Sequence, residues 1–542
     1  MTSEKRRGWA PDWLARAAVA AIGVSILLTI TIGLLGPSAA VPALSGPAWQ
    51  PPYSLNAHAA SHLVVALAAA AIIVGALGLL AALAATSSPT STSVPASDGA
   101  HHIDLTSKAT AHGPSGAGRT PVVSQRREQA RGGPWRPSAQ VLVLIGCVAA
   151  GVLAFLPPSG SGDHLNYAAY GRMVTLGVNP YTTGAADMPG DPIADAVEAP
   201  WREEPTVYGP VATAVQALAS LVGGDSLRLT IFVLALFNAA AFIATGLLID
   251  RFTRDDPANR LRAALLWTAN PLLLYQLVAG VHVDTLAIAC MVAALVARAR
   301  PIRSGALLGL GVAIKVNAGI VALGPAWELR RRPGRLALMA GTALAVVVVG
   351  YAIAGPEAIG PVSRTSKSIS LASFWRLVQG WLQSIVGTGS AYRAEIQVGS
   401  LLVLALVAWV LFRLASRATA AATVRAELDA PLVAAVLVVA YLFATPYALP
   451  WYDGLAFGVL PLVAASGLNR STLSTLDRFV VLHLLVLSLG YLPARVGVLP
   501  ENLAWLTTVV RAQVVPWVLL ALTVALVWWA WRAGGRVHRR RA

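Results

Sequence analysis

Charge is scarce in this sequence, and acid is scarcer than base. Lys, Arg, Asp and Glu supply 12% of the 542 residues, about half the share expected of a soluble domain. That shortage, set against 56% hydrophobic residues, excludes an ordinary water-soluble fold. Cysteine is nearly absent. Cys147 and Cys290 are the only two, and both fall inside apolar runs, so they read as inert packing residues rather than a disulfide or a metal pair. Also missing are a Gly-x-x-x-x-Gly-Lys-Ser/Thr loop and a Gly-x-Gly-x-x-Gly turn between strand and helix, which removes the two common nucleotide fingerprints.

What is present is apolar sequence in runs of about twenty residues, long enough to cross a hydrocarbon core of roughly 30 Å. Residues 17–36, 62–85 and 336–355 are examples. A backbone in lipid must satisfy its own hydrogen bonds, so such runs are helices. The expected fold is an all-α integral membrane protein, a polytopic bundle of about 12–14 transmembrane segments with two large external loops. The first run follows a basic start without a small-residue cleavage site and reads as a retained helix.

The net charge of +16 does not indicate nucleic acid. The basic residues gather between apolar runs, at Lys5-Arg6-Arg7, from Arg251 to Arg262, Arg298 to Arg303, Arg330 to Arg335 and Arg413 to Arg425, and again from Arg536 to Arg541. That is the positive-inside pattern of cytoplasmic loops. Threading the chain accordingly gives an N-terminal hairpin (1–85), a polar disordered cytoplasmic linker (86–137), a membrane module (138–354) carrying a first external loop (158–207), a second external loop (355–397) and a C-terminal membrane module (398–542). Both termini fall in the cytoplasm. Residues 305–327 begin and end beside inside-type arginines yet have one crossing length, so they read as two half-helices meeting near Lys315. Residues 208–222 fit either a half-inserted helix or a full span.

The first loop is rich in chemistry. It opens Ser161-Gly162-Asp163-His164-Leu165-Asn166-Tyr167, continues Ala168-Ala169-Tyr170-Gly171-Arg172 and Gly177-Val178-Asn179-Pro180-Tyr181, and then carries Asp187, Asp191, Asp195, Glu198, Glu203 and Glu204. Residues 164–175 read as an amphipathic helix lying on the membrane. Asp163, at its mouth, is placed either to cap that helix or to face water on one side and a lipid-borne substrate on the other. In His282-Val283-Asp284 an acid at a helix entrance either caps the helix or forms a polar pair with the histidine two residues earlier. Lys315 is a costly charge at mid-membrane, where it marks a lined cavity or an anionic partner, unless it snorkels. In the second loop Arg364, Lys367, Arg376 and Arg393 lie on the side that should lack bases, near hydroxyl groups, a composition suited to phosphate or to anionic headgroups generally.

The pattern Gly-Asp-His-x-x-Tyr-Ala-Ala-Tyr-Gly-Arg, followed by Gly-x-Asn-Pro-Tyr and Tyr208-Gly209-Pro210, resembles the first external loop of GT-C glycosyltransferases. It is most like the actinobacterial polyprenol-phosphate-mannose-dependent α-1,6-mannosyltransferases. Asn270-Pro271 with His282-Val283-Asp284, Ala313-Ile314-Lys315-Val316, and Ala444-Thr445-Pro446-Tyr447 with Pro450-Trp451-Tyr452 resemble further motifs of that family. The resemblance is read from about residue 138 onward, leaving out the N-terminal hairpin and linker. It implies an inverting membrane glycosyltransferase of the cell envelope, with a polyprenyl-phosphate sugar donor, a lipid-linked glycan acceptor such as lipomannan, and membrane lipids as partners. In that family the acid opening the first loop is the catalytic base, which maps onto Asp163. Lys315, Arg364 and Lys367 are then expected at the donor phosphate. His164, Tyr167, Tyr170, Arg172, Asn179, Tyr181, Tyr208, His282, Asp284, Trp451 and Tyr452 are expected to line the pocket. No cofactor is implied; a divalent cation on the converging carboxylates and histidine stays open. A flippase for an isoprenoid-linked lipid and a non-catalytic scaffold are the rival classes, because fold alone does not establish function.

Overall fold

The computed structural model describes residues 12–86, 137–360, 368–421, 428–463, 468–493, 495 and 499–539. Arg364, Lys367 and nearly all of the expected linker lie outside the described residues. Helices dominate, and no strand occurs among the described residues.

Seven helices are long and apolar enough to cross a membrane: Trp13–Leu35, Ser61–Thr86, Leu227–Thr253, Pro333–Ala354, Arg393–Arg417, Arg470–Gly490 and Glu501–Gly535. Five shorter apolar helices of 10–17 residues accompany them. In chain order the helices are α1 (Asp12–Leu35), α2 (Ser61–Thr86), α3 (Ala139–Ala154), α4 (Asp163–Thr175), α5 (Pro210–Gly223), α6 (Leu227–Thr253), α7 (Pro257–Leu266), α8 (Asp284–Val296) and α9 (Pro301–Ile314). Then come α10 (Leu323–Leu329), α11 (Pro333–Ala354), α12 (Trp375–Val386), α13 (Arg393–Ala421), α14 (Ala430–Ala444), α15 (Gly454–Val459), α16 (Arg470–Gly490) and α17 (Val515–Arg539), the last preceded by a π-helical stretch, Leu506–Val514.

Local chemistry sets several starts. Ser226 accepts from the Leu229 N–H at the head of α6, and Asp256 accepts from Ala258 and Asn259 at the head of α7, where Pro257 fills the first helical position. Asp429 and Asn469 cap α14 and α16 in the same way. Each side-chain oxygen satisfies an N–H that has no intrahelical partner. Between α1 and α2 the contact is built on small residues: the Ser25 hydroxyl donates to the Ala71 carbonyl at 2.6 Å, and a Cβ at Gly78 would meet the Ala18 carbonyl. Such close approach suits helices that gain nothing from apolar burial in lipid.

The most enclosed stretch of chain is irregular. Every residue from 261 to 285 is buried, yet α7 stops at Leu266 and the chain turns through Thr268 and Ala269. It restarts at Pro271 with Asn270 as cap, widens into a π-helical turn at Leu274–Ala279, and opens at Gly280 before α8. The apolar run at 263–280 is therefore broken and not one continuous helix. Irregular backbone at membrane depth is tolerated where protein surrounds it, and α2, α3 and α6 all pack against this segment.

Two expectations are corrected. The helix after Gly162 has no free polar face over its first three turns: His164–Gly171 and Met173 are all buried. Leu165, Ala168, Ala169, Tyr170 and Met173 pack with Ile193, Ala194 and Val197 of the loop and with Leu227 and Ile231 of α6, so the loop covers the face that sequence left to water. Asp163 also does not cap this helix. It is the first helical residue, Gly162 holds the cap position, and no side-chain cap bond forms there. The ambiguous segment at 208–222 is α5, 14 residues or about 21 Å long. One face is buried through Ala212, Thr213, Gln216, Ala219 and Ser220, while Leu218, Leu221 and Val222 are exposed. The expected break near Lys315 is present: α9 ends at Ile314, Lys315 is extended (φ −152°, ψ 116°), and a 3-10 stretch, Val316–Ala322, follows.

Candidate active site

The site forms where the mouth of α4, the entrance of α8, the break after α9 and the Pro450-Trp451-Tyr452 turn meet. At its centre Lys315 Nζ donates to both carboxylate oxygens of Asp284, each at 2.7 Å. The same ammonium lies 4.2 Å from the Tyr452 ring centroid and 5.7 Å from that of Tyr208, in reach of a cation–π attraction. Ending α9 at Lys315 is what lets the side chain turn towards α8. Tyr208 is held there by Gly209, whose N–H donates to the Ile314 carbonyl at 3.0 Å. A Cβ at Gly209 would collide with the Ala313 carbonyl, which is the physical reason for a glycine in Tyr208-Gly209-Pro210.

Asp163 Oδ2 lies 3.5 Å from His282 Nδ1, too long for a strong hydrogen bond. The His282 ring stacks on Trp451 with centroids 3.8 Å apart and planes at 15°. It is fully buried, and neither ring nitrogen has a hydrogen-bond partner among the described residues. What fixes it is its backbone. The Asn238 side chain, from the middle of α6, donates to the His282 carbonyl at 2.7 Å. Val281 before it has φ +52°, a conformation costly for a β-branched residue and of the kind that concentrates at functional sites. Tyr167 and Tyr208 complete the wall, with hydroxyls 3.2 Å apart and rings edge-to-face at 5.1 Å.

The Asp163 carboxyl is pushed up to about 6, first by burial and further by the Asp284 charge, against the lowering effects of Lys315 and of a hydrogen bond with Ser161. It therefore takes and gives a proton near neutral pH, the property asked of a general base.

The structure divides the residues expected from sequence. Asp163, Tyr167, Tyr208, His282, Asp284, Lys315, Trp451 and Tyr452 come together. His164 is next to the site and fully buried, with both ring nitrogens unpartnered among the described residues. Tyr170, Arg172, Asn179 and Tyr181 instead hold the loop. The Tyr170 hydroxyl donates to the Glu204 carbonyl at 3.0 Å, and Arg172 pairs with Asp191 at 2.8 Å and Asp225 at 2.6 Å. Asn179 accepts from the Tyr181 N–H, and the Tyr181 hydroxyl meets Thr213 at 2.9 Å. Four of the loop acids are similarly occupied: Asp187 binds the Gly184 N–H, Asp191 those of Ile193 and Ala194, Asp195 pairs with Arg202, and Glu198 with Arg495. Arg376 bonds Gln379 and Arg393 is exposed, so neither joins the site. A divalent cation finds no cluster of three His, Cys, Asp or Glu among the described residues. Sequence reasoning missed Asn238. A buried Asn inside a long apolar helix was a readable signal for it.

Fold and site define a multi-pass, all-α membrane protein with a paired carboxylate–lysine centre beneath an aromatic wall. Residues 20–331 match the family model described as Alpha-(1->6)-mannopyranosyltransferase, N-terminal domain, more than half of the chain, and the protein belongs to that family. The match starts inside α1, so the N-terminal hairpin, left outside the resemblance by sequence reading, lies within it. Among curated relatives, an Alpha-(1->6)-mannopyranosyltransferase A of Corynebacterium glutamicum is 29% identical over 170 residues, 31% of this chain and 34% of that protein. An Alpha-(1->6)-mannopyranosyltransferase B of the same organism is 24% identical over 200 residues, 36% of this chain and 31% of that one. An Alpha-(1->6)-mannopyranosyltransferase A of Mycobacterium tuberculosis is 26% identical over 196 residues, 35% and 38% of the two chains. The chain thus spans about a third of the length of the curated relatives it matches.

Proposed function

We propose that the protein transfers mannose from a polyprenyl-phosphate donor to a hydroxyl of a lipid-linked mannan on the outer face of the cytoplasmic membrane, with both termini inside. The observation that carries this reading is Asp163: a carboxylate with a near-neutral pKa at the mouth of α4, facing an aromatic wall and the Asp284–Lys315 pair, in a chain of this family. Asp163 takes the proton of the acceptor hydroxyl as its oxygen attacks the anomeric carbon. The bond from that carbon to the phosphate oxygen breaks on the opposite face, and polyprenyl phosphate departs. A β-linked donor gives an α-linked product. Lys315, with Arg364 and Lys367 of the second loop, stabilises the charge growing on the leaving phosphate. His282 and Trp451 shape the sugar pocket, since a flat ring stack suits the apolar face of a hexose.

The test is transfer of radiolabelled mannose from polyprenyl-phosphate mannose to a lipid acceptor by purified protein. The expected result is transfer by wild type and a loss of about 10²–10⁴-fold for Asp163→Asn, the usual worth of a placed base. Absence of transfer by folded wild type across a panel of acceptors and sugars overturns the reading.

A further inference from the structure

Two arginines are buried among the described residues, Arg262 and Arg511. Arg262 is neutralised by Asp477. Arg511 has no carboxylate within ion-pair distance among the described residues. It is 7% exposed, its Nε donates to the Gly490 carbonyl at 2.7 Å, and its Nη2 has no partner among them. Arginine does not shed its proton in a protein, and an uncompensated buried charge costs several kcal/mol. An ionisable group within a membrane helix that lacks a partner marks a functional position.

Its location says for what. Arg511 lies in the π-helical stretch Leu506–Val514, a distortion that recurs at functional sites. The helix Glu501–Gly535 has 35 residues, whereas about 20 span a bilayer, so Arg511 stands towards one end, near membrane-surface depth. Its guanidinium is 4.3 Å from the Tyr491 ring centroid, and Tyr491 meets Trp451 edge-on at 5.6 Å. Trp451 carries His282, which faces Asp163. Tyr491 is within electrostatic reach of both Arg511 and Asp163. Lys315, by contrast, is already balanced by both oxygens of Asp284.

We propose that Arg511 is an anion-binding residue of this site and takes the phosphate of the polyprenyl carrier. The proposal rests on the transferase reading for the identity of the ligand. Its planar fork, 4.3 Å from the Tyr491 ring centroid, has an Nη2 donor without a partner among the described residues and supplies a charge that no carboxylate among them pairs with.

The test measures binding of polyprenyl phosphate, and separately of polyprenol without phosphate, to the full chain in nanodiscs of neutral lipid. Arg511→Gln is expected to weaken polyprenyl phosphate at least tenfold while leaving polyprenol binding and the melting temperature of the unliganded protein unchanged or raised; Arg511→Lys recovers part of the affinity. Equal affinity for polyprenyl phosphate in wild type and Arg511→Gln overturns the proposal. So does a variant pair, Gln and Lys, that both melt earlier and lose polyprenol binding, since that is a structural role. The two readings separate cleanly. Arg511-dependent binding in a wild type that transfers no sugar keeps this inference and removes the transferase. Transfer by Arg511→Gln at the wild-type KM for the donor does the reverse.

Discussion

Arg262 and His282 stand near opposite ends of one buried segment, and the polar groups around them are treated in opposite ways. At the Arg262 end every demand is met. Asp477 accepts two bonds from the guanidinium, at 2.6 and 2.7 Å, and the Leu460 carbonyl and Asn259 side chain accept the remainder at 3.2 Å. Nearby, Arg260 and Asp250 form a second two-point pair at 2.6 and 2.7 Å. At the His282 end the two ring nitrogens, both nitrogens of His164 and the Tyr275 hydroxyl are buried without a partner among the described residues. Buried polar groups in folded proteins are nearly all bonded, so a cluster of exceptions is expensive. The satisfied end ties α7 to α16; the end without partners is the one where Asp163, His282 and Trp451 meet.

The sharpest way to break this comparison is to remove a partner at the satisfied end. Asp477→Ala leaves Arg262 buried and unpaired, and the expected loss is about 3–5 kcal/mol, read as earlier thermal unfolding in detergent, with transfer per folded molecule unchanged. A smaller effect sharpens the other end. Because burial holds the Asp163 carboxyl up to about 6 and the proposed role as base needs it deprotonated, transfer should fall about tenfold per pH unit below 6 and level off above it. A pH–rate profile with donor and acceptor saturating checks this, and a rate flat from pH 4.5 to 8 contradicts it. Smallest is Asp225→Asn. Asp225 pairs with Arg172 at 2.6 Å, but its side chain is 82% exposed, and exposed pairs contribute about 0–1 kcal/mol. Thermal unfolding should barely move, since Asp191 still holds Arg172.

Much of this was legible from residues alone. Helix α8 starts at Asp284 and ends at Val296, as the run of apolar residues between His282-Val283-Asp284 and the arginines implied. The break at Lys315 followed from charge parity alone. The site's centre was legible too, because carboxylates and a lysine at helix ends are rare enough in an apolar chain to stand out. What failed did so for one reason, the invisibility of tertiary partners. Helix α4 looked two-faced because its polar positions, His164, Asn166 and Tyr170, are buried in the fold, Tyr170 by a loop that sequence cannot fold. Arg172 looked available for substrate, yet it pairs with Asp191, 19 residues on, and with Asp225, while Glu198 of the loop pairs with the distant Arg495. Arg511 was passed over because one arginine in a long apolar stretch reads as a boundary marker until its surroundings are seen to hold no acid.

The most direct test sets one variant from each end side by side: Asp163→Asn and Asp477→Asn, both assayed for mannose transfer from polyprenyl-phosphate mannose and for thermal unfolding. The account predicts that Asp163→Asn unfolds like wild type and loses transfer, whereas Asp477→Asn unfolds earlier and, per folded molecule, transfers like wild type. An Asp163→Asn protein that transfers mannose at the wild-type rate contradicts it.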